Sequence, residues 1–231
     1  MKYVLLLLFP ILLFSQTSYE KAKESFDMDK SERSKKQFEL TLKSDPNNLN
    51  ALEGLGDIAG FNKYWDQALQ YYGKLKVLKP TGADYHYKYG GALGMKALEV
   101  NKFKALGMIS DIKGSFEKAI QLEPKHIEAR WALIELYLKL PGLIGGSESK
   151  ATTYSNQLLS LSPVDGYLSR GHIEEYYERY KSAEVFYKKA IVVGGSKNAY
   201  QTLANLYKNK MSAPEKSKSI LEEYKQKNAT K

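Results

Sequence analysis

The sequence predicts an all-α chain built as a solenoid of about six antiparallel helix pairs, and three observations carry that prediction. Helix-ending residues recur at the length of a helix pair: Pro46 and Pro80 stand 34 residues apart, Pro124 and Pro163 follow after 44 and 39, and Gly195 takes the same place 32 residues later. Ahead of each stop runs one helical stripe of small, aromatic and apolar residues. The 231 residues include no cysteine and are 26% charged. A disulfide scaffold is therefore excluded, together with cysteine nucleophiles, thiolate zinc sites and iron–sulfur clusters, and the surface is the dense two-signed coat of exposed helices.

Taken in order, the chain begins with Lys2 and an unbroken apolar run from Val4 to Phe14. That run is too short to cross a bilayer, which takes about 20 residues, and Pro10 interrupts it. The pattern predicts a signal peptide over residues 1–16, cut near Ser15 or Gln16, in an exported protein that is periplasmic or secreted, and the Phe14–Ser15–Gln16 ending suits a Gram-negative bacterium. Six helix pairs are expected after it, over 17–46, 49–80, 84–124, 127–163, 164–195 and 197–226, with a basic C-terminal tail at 227–231.

Within these units the stripe is explicit. Twelve residues before the stops stand Ser34, Ala68, Ile112, Ala151 and Ala183; eight before stand Phe38, Tyr72, Phe116, Ser155 and Tyr187; five before stand Thr41, Leu75, Ala119, Leu158 and Ala190. Residues four and three apart lie on one helix face. The half following each stop carries a second helix with its own spacing: Leu52, Leu55, Gly56 and Ala59 in one, Tyr167, Gly171 and Glu174 in another, Tyr200, Leu203, Ala204 and Tyr207 in a third. A small residue in mid-helix lets a neighbour approach, and an aromatic ring fills the volume beside it.

On these residues the chain resembles the tetratricopeptide repeat family, whose 34-residue helix-turn-helix unit carries large apolar, Leu, Gly and aromatic residues, then Ala, aromatic, Ala and Pro. The match is best from Leu49 to Pro80, through Leu52, Leu55, Gly56, Ala68, Tyr72 and Pro80, and close from Val164 to Gly195, through Tyr167, Gly171, Ala183, Tyr187 and Ala190. The resemblance implies a right-handed superhelix and a role in protein–protein interaction or assembly. Two units depart from it. The third is about ten residues over length around Lys96 to Ser110, which predicts longer helices or a longer loop between them. The fourth is about five over, within the glycine-rich Leu140 to Ser149, whose Pro141, Gly142, Gly145 and Gly146 resemble an inserted turn of some bacterial members.

Chemistry is hard to find. Gly142 to Lys150 lacks phosphate-loop spacing and follows no strand, so Gly145 or Gly146 is expected to supply an unusual backbone angle and Ser147 to cap the next helix. His86, His126 and His172 each stand alone in a repeat and read as surface or groove residues. Paired acids such as Glu174 and Glu175, or Glu222 and Glu223, lie among Lys and Arg and read as solvated faces. No catalytic residue, metal site or cofactor is expected, and the chain reads as a non-enzymatic module. If first helices line a groove, as the resemblance implies, the residues turned into it are Tyr85, Lys88, Trp131, Glu135, His172, Glu175, Gln201 and Asn205. Aromatic rings with scattered polar groups suit an extended peptide or a partner helix. The carboxylate clamp of chaperone-binding relatives is not reproduced, because its opening positions hold Tyr19 and Lys23.

The formal charge of +9 becomes +8 without the first 16 residues, and residues 208–231 alone hold seven Lys and three Glu. A helix is expected from Ala213 to Gln226, with Pro214 in its first turn and Ile220, Leu221 and Tyr224 inward. A polar end caps an open stack. Nucleic acid is not expected as a partner. An anionic membrane surface and self-association remain open, as does a structural role in an envelope complex through the convex face or the basic end.

Overall fold

A computed structural model describes residues 28–229. The expected signal segment, the first helix of the first unit with Tyr19 and Lys23, and the last two residues lie outside the described residues. Eleven α-helices occupy the rest: α1 Met28–Ser44, α2 Leu49–Phe61, α3 Trp65–Leu78, α4 Ala83–Glu99, α5 Lys102–Leu122, α6 Ile127–Lys139, α7 Glu148–Leu161, α8 Pro163–Tyr176, α9 Tyr180–Gly194, α10 Lys197–Asn209 and α11 Pro214–Ala229. There is no strand among the described residues.

The helices start and stop where local chemistry dictates. Asn48, Asn101, Ser147, Ser162 and Ser196 each accept a hydrogen bond from the backbone N–H three residues on, satisfying a donor that the first turn leaves free. Pro163 serves as the first residue of α8, so it opens a helix and does not merely close one. Gly195, at φ 57°, closes α9 in the left-handed region that glycine adopts without a Cβ penalty. His126 also caps a helix, through Nδ1 accepting from Ala129 N at 3.3 Å. It is buried, not the surface or groove residue expected, because its ring is closed over by Tyr87 at 5.0 Å.

Helices pair as α2 on α3, α4 on α5, α6 on α7, α8 on α9 and α10 on α11, and each second helix packs in turn on the next first helix. The first helices touch one another as well, α4 on α6, α6 on α8 and α8 on α10. The core accordingly falls into three clusters along the stack rather than one interior. Within a pair, size complementarity does the joining. A Cβ on Gly56 would lie 2.4 Å from the Tyr72 ring and one on Gly171 would lie 2.3 Å from the Tyr187 ring, so each glycine is the seat of an aromatic. Ala68, Leu75, Ala183 and Ala190, all fully buried, complete those second-helix stripes. Truncating Leu75 to Ala would cost about 2–5 kcal/mol.

Both irregular units resolve simply. The excess near 96–110 is helix: α4 has 17 residues and α5 has 21, against 13 and 14 in α2 and α3, with only Val100 and Asn101 between them. This hairpin therefore projects roughly 6–10 Å further than its neighbour. The excess near 140–149 is a 3-10 turn over Gly142–Ile144 followed by Gly145 at φ 108°. Gly146 N donates to Pro141 O at 3.1 Å, and a Cβ on Gly146 would meet Leu140 O at 1.7 Å, so only glycine fits. At the C-terminus α11 runs to Ala229, so residues 227–229 of the expected tail are still helix.

Candidate functional site

The row of touching first helices carries the polar and aromatic side chains that sequence reasoning assigned to a groove. In α4, Lys88 reaches back to α2: Nζ donates to Glu53 Oε1 at 2.6 Å and to Asp57 Oδ1 and Oδ2 at 2.7 Å. Burial alone would lower the pKa of this ammonium, but Asp57 and then Glu53 outweigh it and the net shift is upward. Tyr72 Oη donates to the same Asp57 Oδ1 at 2.7 Å, and burial with that carboxylate pushes the phenol well above its ordinary range. Tyr85, half-buried, packs into the N-terminal cluster.

In α6 and α8 the groups interlock. Trp131 Nε1 donates to Asp165 Oδ1 at 3.0 Å, and its ring lies 6.3 Å from that of His172. Glu135 Oε1 makes an ion pair with His172 Nε2 at 2.5 Å, while its Oε2 pairs with Lys139 Nζ at 3.1 Å. Burial tends to raise the Glu135 pKa, yet His172 and Lys139 hold it down at about 2. Tyr187 Oη donates to Glu175 Oε2 at 2.8 Å, and desolvation followed by that carboxylate drives the phenol far up. Further along, Gln201 Nε2 donates to Asn205 Oδ1 at 3.0 Å on α10, both exposed.

The eight expected residues therefore form three groups: Tyr85 and Lys88 against α2 and α3, Trp131 through Glu175 across α6, α8 and α9, and Gln201 with Asn205 on α10. Six of them already serve helix-to-helix contacts, all but Gln201 and Asn205, and Trp131 bridges the central and C-terminal clusters. Glu53, Asp57, Asp165 and Tyr87 were missed. The signal lay in the register. Three before and one after the mid-helix crossing position stand Glu53 and Asp57 around Gly56, Tyr87 and Gly91 around Gly90, Trp131 and Glu135 around Ile134, Leu168 and His172 around Gly171, and Gln201 and Asn205 around Ala204. Tyr87 sits at this site, packed on Phe116 at 5.9 Å, whereas Tyr85 stands two residues away on the α3 side. Among the described residues no group of three or more His, Asp or Glu is placed to hold a metal ion.

No protein-family model matches the chain, and no curated protein matches it either. Solved structures do. A thermophilic tetratricopeptide protein of Thermus thermophilus is 16% identical and superposes with a TM-score of 0.63, covering 86% of this chain and 98% of that one. PilW, a widely conserved type IV pilus biogenesis factor, is 18% identical at a TM-score of 0.63, covering 91% of this chain and 93% of its own. A tetratricopeptide repeat protein from Parabacteroides merdae ATCC 43184 is 17% identical at 0.58, covering 90% of this chain and 78% of that one. The chain is an all-α helical solenoid. Its fold is that of the tetratricopeptide repeat proteins.

Proposed function

We propose that the protein is a non-enzymatic interaction or assembly module in which the first-helix row receives a segment of a protein partner. The observation that carries this is the repeated pair of side chains, four residues apart, at one register on the row of first helices: Glu53 with Asp57, Trp131 with Glu135, Gln201 with Asn205. These pairs stand on every second first helix, so the row offers acceptors, amides and one indole face at two-repeat intervals, which suits an extended peptide or a helix. The polar groups of α6 and α8 are already oriented by one another, so little ordering cost would fall on binding. Export through residues 1–16 is part of this reading and rests on the sequence alone.

Trp131 and Tyr85 also pack in the core, so their loss would confound binding with folding. The cleaner test substitutes the exposed Gln201→Ala and Asn205→Ala together, with Asn205→Ala alone as a second variant. Crosslinking in the native compartment should capture a partner reproducibly from the parent protein. That partner should be reduced about tenfold or more in the α10 double variant at unchanged helicity. A partner captured equally by both variants would move the site off this face.

A further inference from the structure

We infer that the opposite face of the solenoid, formed by the second helices α1, α3, α5, α7, α9 and α11, is a docking surface for an anionic lipid bilayer. Charge is sorted between the two rows. The first helices carry nine acids and seven bases, whereas the second helices carry eleven acids and nineteen bases. The basic surplus is therefore a property of one face and not chiefly of the C-terminal end.

Exposed apolar side chains are sorted the same way. Among the described residues sixteen large hydrophobic side chains are exposed, of which ten lie on second helices and two on first helices, the others standing in turns. The two features interleave. On α9 Lys181, Val185, Lys188 and Val192 follow spacings of four, three and four and so form one stripe, all exposed, with Val192 at 85%. On α1 Arg33, Lys36, Leu40 and Lys43 form the matching stripe, again all exposed. At the projecting start of α5, Phe103 is 88% exposed between Lys102 and Lys104.

Lysines alternating with aliphatic or aromatic side chains complement a surface that is anionic in its headgroups and apolar just beneath them. A nucleic acid would use the lysines and gain nothing from the valines and leucines. Among the described residues no helix is long and apolar enough to cross a membrane. The contact proposed for this face is a peripheral one. It would leave the first-helix row facing away from the bilayer.

The test uses the full chain with vesicles of phosphatidylcholine, alone or mixed with phosphatidylglycerol. The apolar residues 4–14 are common to all variants, so the lipid contrast and the differences between variants report the face. Expected are tighter binding to the phosphatidylglycerol vesicles, lost as salt is raised, several-fold weaker binding for K181Q/K188Q, and a loss for V185S/V192S. Because the chain has no cysteine, V192C can carry a single environment-sensitive dye. Its emission should shift to the blue on vesicles while a dye on N205C does not. Equal binding to both vesicle types, both variants binding like the parent, or a shift at position 205 without one at 192 would overturn the inference. The dye measurement needs no destabilising change, and partner capture by Gln201 and Asn205 variants is unaffected by its outcome.

Discussion

The pairs α6–α7 and α8–α9 stand side by side and solve the same packing problem with opposite residues. In α8–α9 the first helix supplies Gly171 and the second supplies the ring of Tyr187, fully buried against it. In α6–α7 the sizes are exchanged: the first helix supplies Ile134 and the second supplies Ser155, both fully buried. Ser155 Oγ accepts from Ser169 Oγ of α8 at 2.9 Å, so the small residue also ties the two pairs together. At matching register the two pairs carry residues of similar summed volume with the sizes exchanged, which makes volume and not identity the rule to test.

The largest effect should come from forcing one pair into the other's pattern on one side only. Gly171→Ile places carbon where the Tyr187 ring already lies, its Cβ falling 2.3 Å from the ring. Overpacking costs about 1–3 kcal/mol, and more where the added atoms meet a buried ring that cannot move. Tyr187→Ser costs about 3–5 kcal/mol through the cavity, and it also strands Glu175 without its phenol donor. The double variant G171I/Y187S should regain more than half of the summed loss in urea denaturation. Additive losses would show that volume exchange is not the governing rule.

This exchange also explains how far the sequence could be read. Pairs whose crossing uses glycine and an aromatic ring, such as Gly56 with Tyr72 and Gly171 with Tyr187, carry the familiar spacing in plain view. Ile134 and Ser155 do not, and that unit is recognised only by its proline spacing and apolar stripe. The candidate site was less legible, because a periodic stripe shows which residues share a face but not which neighbour they touch. Lys88 was visible as a polar residue on α4, yet its two carboxylate partners lie 31 and 35 residues earlier. His126 was misjudged because a histidine in the capping position reads like any polar loop residue, and only Tyr87 folding over it makes it buried. The over-length third unit could not be divided between helix and loop, since both are compatible with the same polar composition.

The two pairs also differ in their acids. Glu135 is buried in ion pairs with His172 and Lys139, whereas Glu175 accepts from a phenol. Glu135, held at about 2 when folded against 4.5 for the ordinary carboxyl, favours the folded state at every pH above that ordinary value. Its contribution is lost as pH falls through the window from 4.5 toward 2. Glu135→Gln should therefore be less stable than the parent at neutral pH, and the difference should shrink as pH is lowered through that window in thermal melts. A difference that stays constant down to the lower limit would mean the carboxylate is not held by these partners.

The smallest effect distinguishes how the two pairs begin. Ser147 caps α7 with a single bond, from Lys150 N at 3.3 Å. Ser162 accepts from Asp165 N at 3.4 Å in the same manner, but its hydroxyl also donates to Asp165 Oδ2 at 2.6 Å, and Asp165 Oδ1 in turn receives Trp131 Nε1. Ser147→Ala removes one cap, a loss of about 1 kcal/mol. Ser162→Ala removes the cap and one restraint on the carboxylate that orients the indole, so its loss should exceed that of Ser147→Ala by a few tenths to about 1 kcal/mol. The indole offers a second readout. Its fluorescence should change in Ser162→Ala and stay fixed in Ser147→Ala, and the reverse result would detach Trp131 from the α8 cap and leave it held by packing alone.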